Sequence, residues 1–120
     1  MLSYLTDPAE CELLAALCEE PSKRRVFIND AIQRCRWHYH LVFVPGTDQK
    51  FTEPESWDYV SGLIRRKEAI RVVKLDTPYG DIGFQMKIAL EKNRPELYIK
   101  LALNKKRTFI IGRSFHYNDE

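Results

Sequence analysis

Apolar residues in the first part of the chain recur at intervals of three and four, and from residue 69 onward they alternate. Asp7, Pro8 and Glu10 mark a helix start, with a side-chain cap, a proline at the first helical position and a glutamate spaced for a capping box. The stripe Leu13, Leu14, Leu17 and Cys18 predicts a helix running to about Glu19 that lays one face on the rest of the molecule. Pro21 and Ser22 restart the chain, and Phe27, Ile28, Ala31, Ile32 and Cys35 keep helical spacing, so a second helix is expected over 22–37. Residues 38–46, HYHLVFVPG, alternate and stop at Pro-Gly, which reads as a first strand. Thr52 and Glu55 repeat the capping-box spacing ahead of Trp57, Val60, Leu63 and Ile64, the stripe of a third helix.

Four alternating runs follow: AIRVVKLD, GFQMKIALE, ELYIKLALN and TFIIGRSFHY. The links TPYGDI, KNRP and KKR are short enough for hairpins, so neighbouring strands should be antiparallel. The expected fold is α+β, a twisted antiparallel β-sheet with two or three α-helices packed on one face. A single domain over 1–120 is expected. Residues 1–50 would supply a helical part and the first strand, and residues 51–120 a helix and a four-stranded sheet.

Composition narrows the class. Hydrophobic residues at 44% and charged residues at 30% describe a folding chain and not a disordered one. No apolar run approaches the roughly 20 residues of a membrane span, and MLSYLTDPAECELL lacks the basic start of a signal peptide, so no membrane association and a cytoplasmic location are expected. Cys11, Cys18 and Cys35 contain no CxxC pair and read as free thiols. Cys35, His38 and His40 lack the second ligand pair of a closed zinc site, so neither metal nor other cofactor is expected. The net charge of +2 conceals a strong polarity: residues 61–113 hold thirteen basic and five acidic side chains, a local +8 that leaves −6 elsewhere. Such a molecule attracts a polyanion to one side, and nucleic acid is the commonest one. A solvated lysine-rich sheet edge would give the same count.

Alternation also assigns faces. Phe84, Met86 and Ile88 oppose Gln85 and Lys87, and Leu97, Ile99 and Leu101 oppose Tyr98 and Lys100. In the last run Phe109, Ile111, Arg113 and Phe115 are expected on one face, with Thr108, Ile110, Ser114 and His116 on the other. Three strands would then bring Gln85, Lys87, Tyr98, Lys100 and His116 onto one open surface. These residue types suit cleavage of RNA by its own 2′-hydroxyl, which needs a proton acceptor, cations around the phosphorus and a proton donor for the leaving 5′-oxygen, and they are equally the ordinary residues of a solvated sheet face.

From Lys74 onward the chain resembles the motility quorum-sensing regulator (MqsR) toxins of the RelE-like ribonuclease superfamily, the resemblance carried by VVKLDTPYGDIGFQ, LYIKLAL and IIGRSFH. The thirteen-residue interval from Gln85 to Tyr98 matches the family, and Tyr79 and Asp81 fall between Lys74 and Gln85 as they do there. The resemblance implies a RelE-like domain whose catalytic residues are Lys74, Gln85, Tyr98 and His116; on the basic face beside them Lys87, Lys100, Arg113 and Ser114 are expected to bind RNA. The family's closing basic residue is typically lysine. His116 in its place would turn a fixed cation into a group able to exchange protons. The implied activity is that of a metal-independent endoribonuclease, an mRNA interferase toxin with messenger RNA as substrate and a cognate antitoxin protein as partner. The alternative is a non-catalytic RNA- or protein-binding module using the same basic face.

Overall fold

A computed structural model describes residues 3–26, 28–29, 34–75 and 82–118. Helix α1 spans Pro8–Glu19, and the Asp7 carboxylate accepts from the Ala9 N–H at 3.0 Å. Glu10 does not complete a capping box; its carboxylate pairs with Arg107 across the molecule. Helix α2 spans Glu53–Arg65 and does carry the full box, Thr52 and Glu55 each satisfying the other's backbone N–H. Leu14, Leu17 and Cys18 of α1 and Trp57, Val60, Leu63 and Ile64 of α2 are buried, as their spacing requires.

The two helices cover one face of a six-stranded sheet ordered β1-β5-β6-β7-β8-β2. Its strands are β1 (Ser3–Tyr4), β2 (Arg24–Val26), β5 (Arg71–Lys74), β6 (Ile82–Ile88), β7 (Leu97–Leu103) and β8 (Ile110–Tyr117). Strands β5 to β8 are antiparallel neighbours, as expected. The sheet as a whole is mixed, because β2 runs parallel to β8. The expected class is therefore met at the level of α+β and corrected at the level of a wholly antiparallel sheet.

Two elements differ from expectation. The described residues of 22–37 do not form the expected second helix: a 3₁₀ turn (Pro21–Lys23) leads into β2, and β3 (Ile28–Asn29) pairs with β4 (Arg34–Cys35) in a separate two-stranded sheet. The apolar spacing there mimics a helix, but β8 presents an open edge, and the backbone groups of Arg24 to Val26 satisfy it. Phe27, Ala31 and Ile32 lie outside the described residues. Nor is 38–46 a strand. Tyr39–Leu41 is a 3₁₀ turn, after which the Phe51 N–H donates to Val42 O and the Val44 N–H to Gln49 O around a tight loop. Val42 and Phe51 are buried, so the apolar alternation marks a core anchor and not a sheet position. The link 76–81, with Tyr79 and Asp81, also lies outside the described residues.

At the centre of the core Trp37 stacks on Trp57 at 4.4 Å and meets Phe115 at 5.3 Å, its indole N–H donating to Ser56 Oγ at 3.0 Å. Gly112 makes this possible, since a Cβ there would lie 2.7 Å from the Trp37 ring.

Candidate functional site

Register decides what the open face of the sheet presents. Arg71 pairs with Gln85, Gln85 with Lys100 and Lys100 with Ser114; in the next row Lys87 pairs with Tyr98 and Tyr98 with His116. Directly paired residues bring their Cβ atoms to about 5 Å, so these two rows form one patch. The patch is more enclosed than an ordinary sheet surface: Gln85, Ser114 and His116 are 9%, 7% and 5% exposed. Tyr98 and Lys100 are half-buried and Lys87 is exposed.

Lys74 is not brought to this patch. It pairs with Ile82, three residues along β5 from Arg71, and alternation places it on the same side as Val72 and Phe84. The cation that β5 contributes beside Gln85 is Arg71, whose buried Nε has no hydrogen-bond partner among the described residues.

A β-bulge orients His116. Leu101 pairs with Gly112 but Lys100 pairs with Ser114, so Arg113 is an extra residue on β8. Strict alternation from the buried Ile110 would send Phe115 outward and His116 toward the helices. The insertion inverts that order. Ile110, Gly112, Phe115 and Tyr117 therefore face the helices, while Ile111, Ser114 and His116 face outward. The expectation that Phe109, Ile111 and Phe115 share a face is corrected accordingly: Ile111 packs outward with Leu75, Ala102 and Val73 in a second small cluster. Arg113 is half-buried at the kink, and burial lowers its pKa.

Two further residues enter from a segment that sequence patterning assigned to other elements. Residues 36–38 pass beside β8 in parallel, Phe115 N–H donating to Arg36 O at 2.9 Å and His38 N–H to Phe115 O at 2.8 Å. Trp37 is thereby held on the core side with Phe115, and Arg36 and His38 alternate onto the outer side. Arg36 Nη2 lies 2.8 Å from His116 Nε2, and His116 Nδ1 lies 2.8 Å from the Tyr117 carbonyl. A guanidinium can only donate, so Nε2 accepts, and Nδ1 carries the proton and donates a hydrogen bond to the Tyr117 carbonyl. The His116 ring stacks on Tyr98 at 5.4 Å with 29° between planes, and the His38 ring stands 6.1 Å away. The alternation of Arg36 and His38 about a tryptophan was the available signal, and the helical spacing around it hid it.

The electrostatics of the two layers are opposite. Strands β5 to β8 contain Arg71, Lys74, Lys87, Lys100 and Arg113 and not one carboxylate. Helix α1 carries Glu10, Glu12 and Glu19, and α2 carries Glu53, Glu55 and Asp58. Among the described residues no three His, Cys, Asp or Glu side chains converge as metal ligands, and no helix is long and apolar enough to cross a membrane. The side chain of Cys35 is outside those described. Cys11 is half-buried and Cys18 is fully buried, which pushes its thiol up to about 12. A cavity of about 370 Å³ lies between the start of α1 and the end of α2, lined by Leu5, Cys11, Ile64 and Lys67. It contains none of the patch residues.

No protein-family model, no curated protein and no solved structure matches the chain.

Proposed function

We propose that the chain is a RelE-like, metal-independent endoribonuclease, the toxin of a toxin–antitoxin pair, that cuts single-stranded messenger RNA in the cytoplasm. The observation that supports this best is an imidazole stacked on a tyrosine and held at Nε2 by a guanidinium, within strands that carry cations and no carboxylate. In this reading a phosphate is drawn to Arg36, Lys87, Lys100 and Arg113, and Gln85 and Ser114 offer hydrogen bonds to the nucleotide. Arg36 has donors enough to turn toward a phosphate oxygen, which uncovers the Nε2 lone pair. His116 Nε2 then takes the 2′-OH proton, O2′ bonds to phosphorus, and the P–O5′ bond breaks. The departing 5′-oxygen receives its proton from the Tyr98 hydroxyl, leaving a 2′,3′-cyclic phosphate and a 5′-hydroxyl. Arg71 takes the cationic position on β5 that the resemblance gives to Lys74.

The test is incubation of a single-stranded RNA with the protein in EDTA, followed by analysis of the ends. Cyclic-phosphate products, no cutting where the 2′-OH is replaced by hydrogen, and losses of about 100-fold or more in His116→Ala and Tyr98→Phe would support the reading. Wild-type rates in both variants would sink it. A second reading, a non-catalytic RNA- or protein-binding module, is favoured by one observation, that both ring nitrogens of the 5% exposed His116 already have partners. Salt-dependent RNA binding with the strand left intact would choose it. Growth arrest on induced expression, relieved by His116→Ala, tests the toxin assignment, and an antitoxin would be the acidic protein that relieves the wild type.

A further inference from the structure

A second basic cluster stands at the opposite end of β8 from His116. The turn between β7 and β8 is closed by Asn104, whose Oδ1 accepts from the N–H groups of Thr108 and Phe109 at 2.8 and 2.7 Å and whose Nδ2 donates to Thr108 Oγ1 at 2.8 Å. Lys105 and Lys106 are exposed at its tip. Beside it the Arg25 guanidinium lies 4.4 Å and the Lys23 ammonium 5.7 Å from the Phe109 ring centroid. Arg25 pairs with Ile111, so it projects from the same outer face as His116. Arg24 donates to the Cys18 carbonyl and Arg107 is paired with Glu10, while Arg25 Nη1 donates to the Ser22 and Arg24 carbonyls at 3.1 and 2.8 Å. Lys23, Arg25, Lys105 and Lys106 form no ion pair among the described residues.

We propose that Lys23, Arg25, Lys105 and Lys106 form a second phosphate-binding site that holds single-stranded RNA several nucleotides away from Tyr98 and His116. RNA as the ligand rests on the function proposed above; the site itself rests on the geometry of this turn. From Phe109 to His116 the face runs about 20 Å at strand spacing, a distance that a short single strand covers. The buried outward cluster of Leu75, Ala102 and Ile111 lies between the two ends and offers no charge. Contacts of this kind act through counterion release, so their signature is in the salt dependence of binding. Cations resting on an aromatic ring are partly ordered before a phosphate arrives, which lowers the entropy lost on binding.

The experiment compares an oligouridine of about three nucleotides with one of about twelve, measuring affinity by fluorescence anisotropy between about 50 and about 200 mM salt. In a variant with all four residues changed to alanine, the slope of log affinity against log salt for the longer strand should fall by about 1 to 2, as for loss of two or three phosphate contacts. Binding and cleavage of the short strand should not change. Lys105→Ala with Lys106→Ala alters only the exposed tip, and should give about half the effect if the four-residue variant is compromised in folding. An unchanged slope for the longer strand overturns the site, as does equal weakening of short and long strands or failure of the wild type to bind the longer one. If the longer strand binds with the expected slopes but stays uncut, the site stands and the nuclease reading falls. If it is cut while the slopes do not move, the reading stands and the site falls.

Discussion

A guanidinium that reaches an imidazole nitrogen selects the tautomer of that ring, and in this chain it selects the one whose Nε2 lone pair faces Arg36. The consequence can be measured apart from any activity: in its neutral form His116 should carry its proton on Nδ1, readable from the two ring ¹⁵N shifts at alkaline pH. Arg36→Gln should slow RNA cleavage by about tenfold or more, because the phosphate loses its nearest fork of donors. Arg36→Lys should not restore the rate, since an ammonium cannot span an imidazole and a phosphate as a planar fork does. A wild-type rate in Arg36→Gln would remove Arg36 from the mechanism. The other residue-scale constraint is steric. Gly112→Ala sets a methyl 2.7 Å from the Trp37 ring, which is itself clasped by Trp57 and Phe115, so it should cost about 1 to 3 kcal/mol of stability in urea denaturation.

Elements whose signals are local were legible before the structure. Thr52 and Glu55 announce α2 and form its box, and Asp7 with Pro8 announces α1; the period-two runs after residue 69 become β5 to β8 in the anticipated order. Thr52→Ala should therefore cost about 1 kcal/mol, read as a lower urea midpoint with unchanged slope. The elements that escaped are those decided by distant partners. Whether Arg24–Val26 coils or extends depends on the open edge of β8, more than eighty residues away in sequence, and apolar spacing cannot report that. The bulge at Arg113 is equally silent, because an extra residue leaves the sequence alternation intact to the eye while inverting which side chains face out. The consequence for the site was uneven. Gln85 and Tyr98 share a patch because β6 and β7 pair without irregularity, His116 joins them only through the bulge, Lys74 is displaced by register, and Arg36 was missed with its element.

At the scale of the whole molecule the helical layer is acidic and the opposite sheet face is basic, and the acids are not merely solvated. Arg65 of α2 reaches Glu19 and Glu12 of α1, both at 2.7 Å, and Ser61 also donates to Glu19, so the two helices are clasped by charge over their shared apolar seam. These hydrogen bonds, Arg65 first and Ser61 second, hold the Glu19 carboxyl down at about 2, against an ordinary 4.5. A carboxyl depressed by folding contributes stability that is fully present above the unfolded value, and that contribution disappears as pH falls through 4.5 toward 2. The group is 43% exposed, so water screens much of the effect and the contribution at neutral pH should be about 1 kcal/mol or less. Glu19→Gln should lower the urea midpoint by a corresponding amount at neutral pH and leave it nearly unchanged at the acid end of that window, so that the two proteins converge as pH falls. The substitution lies in the helical layer, so RNA affinity and its salt dependence should be those of the wild type. A Glu19→Gln protein equally destabilised at both ends of the window would show that Glu19 acts by packing and not as a charge.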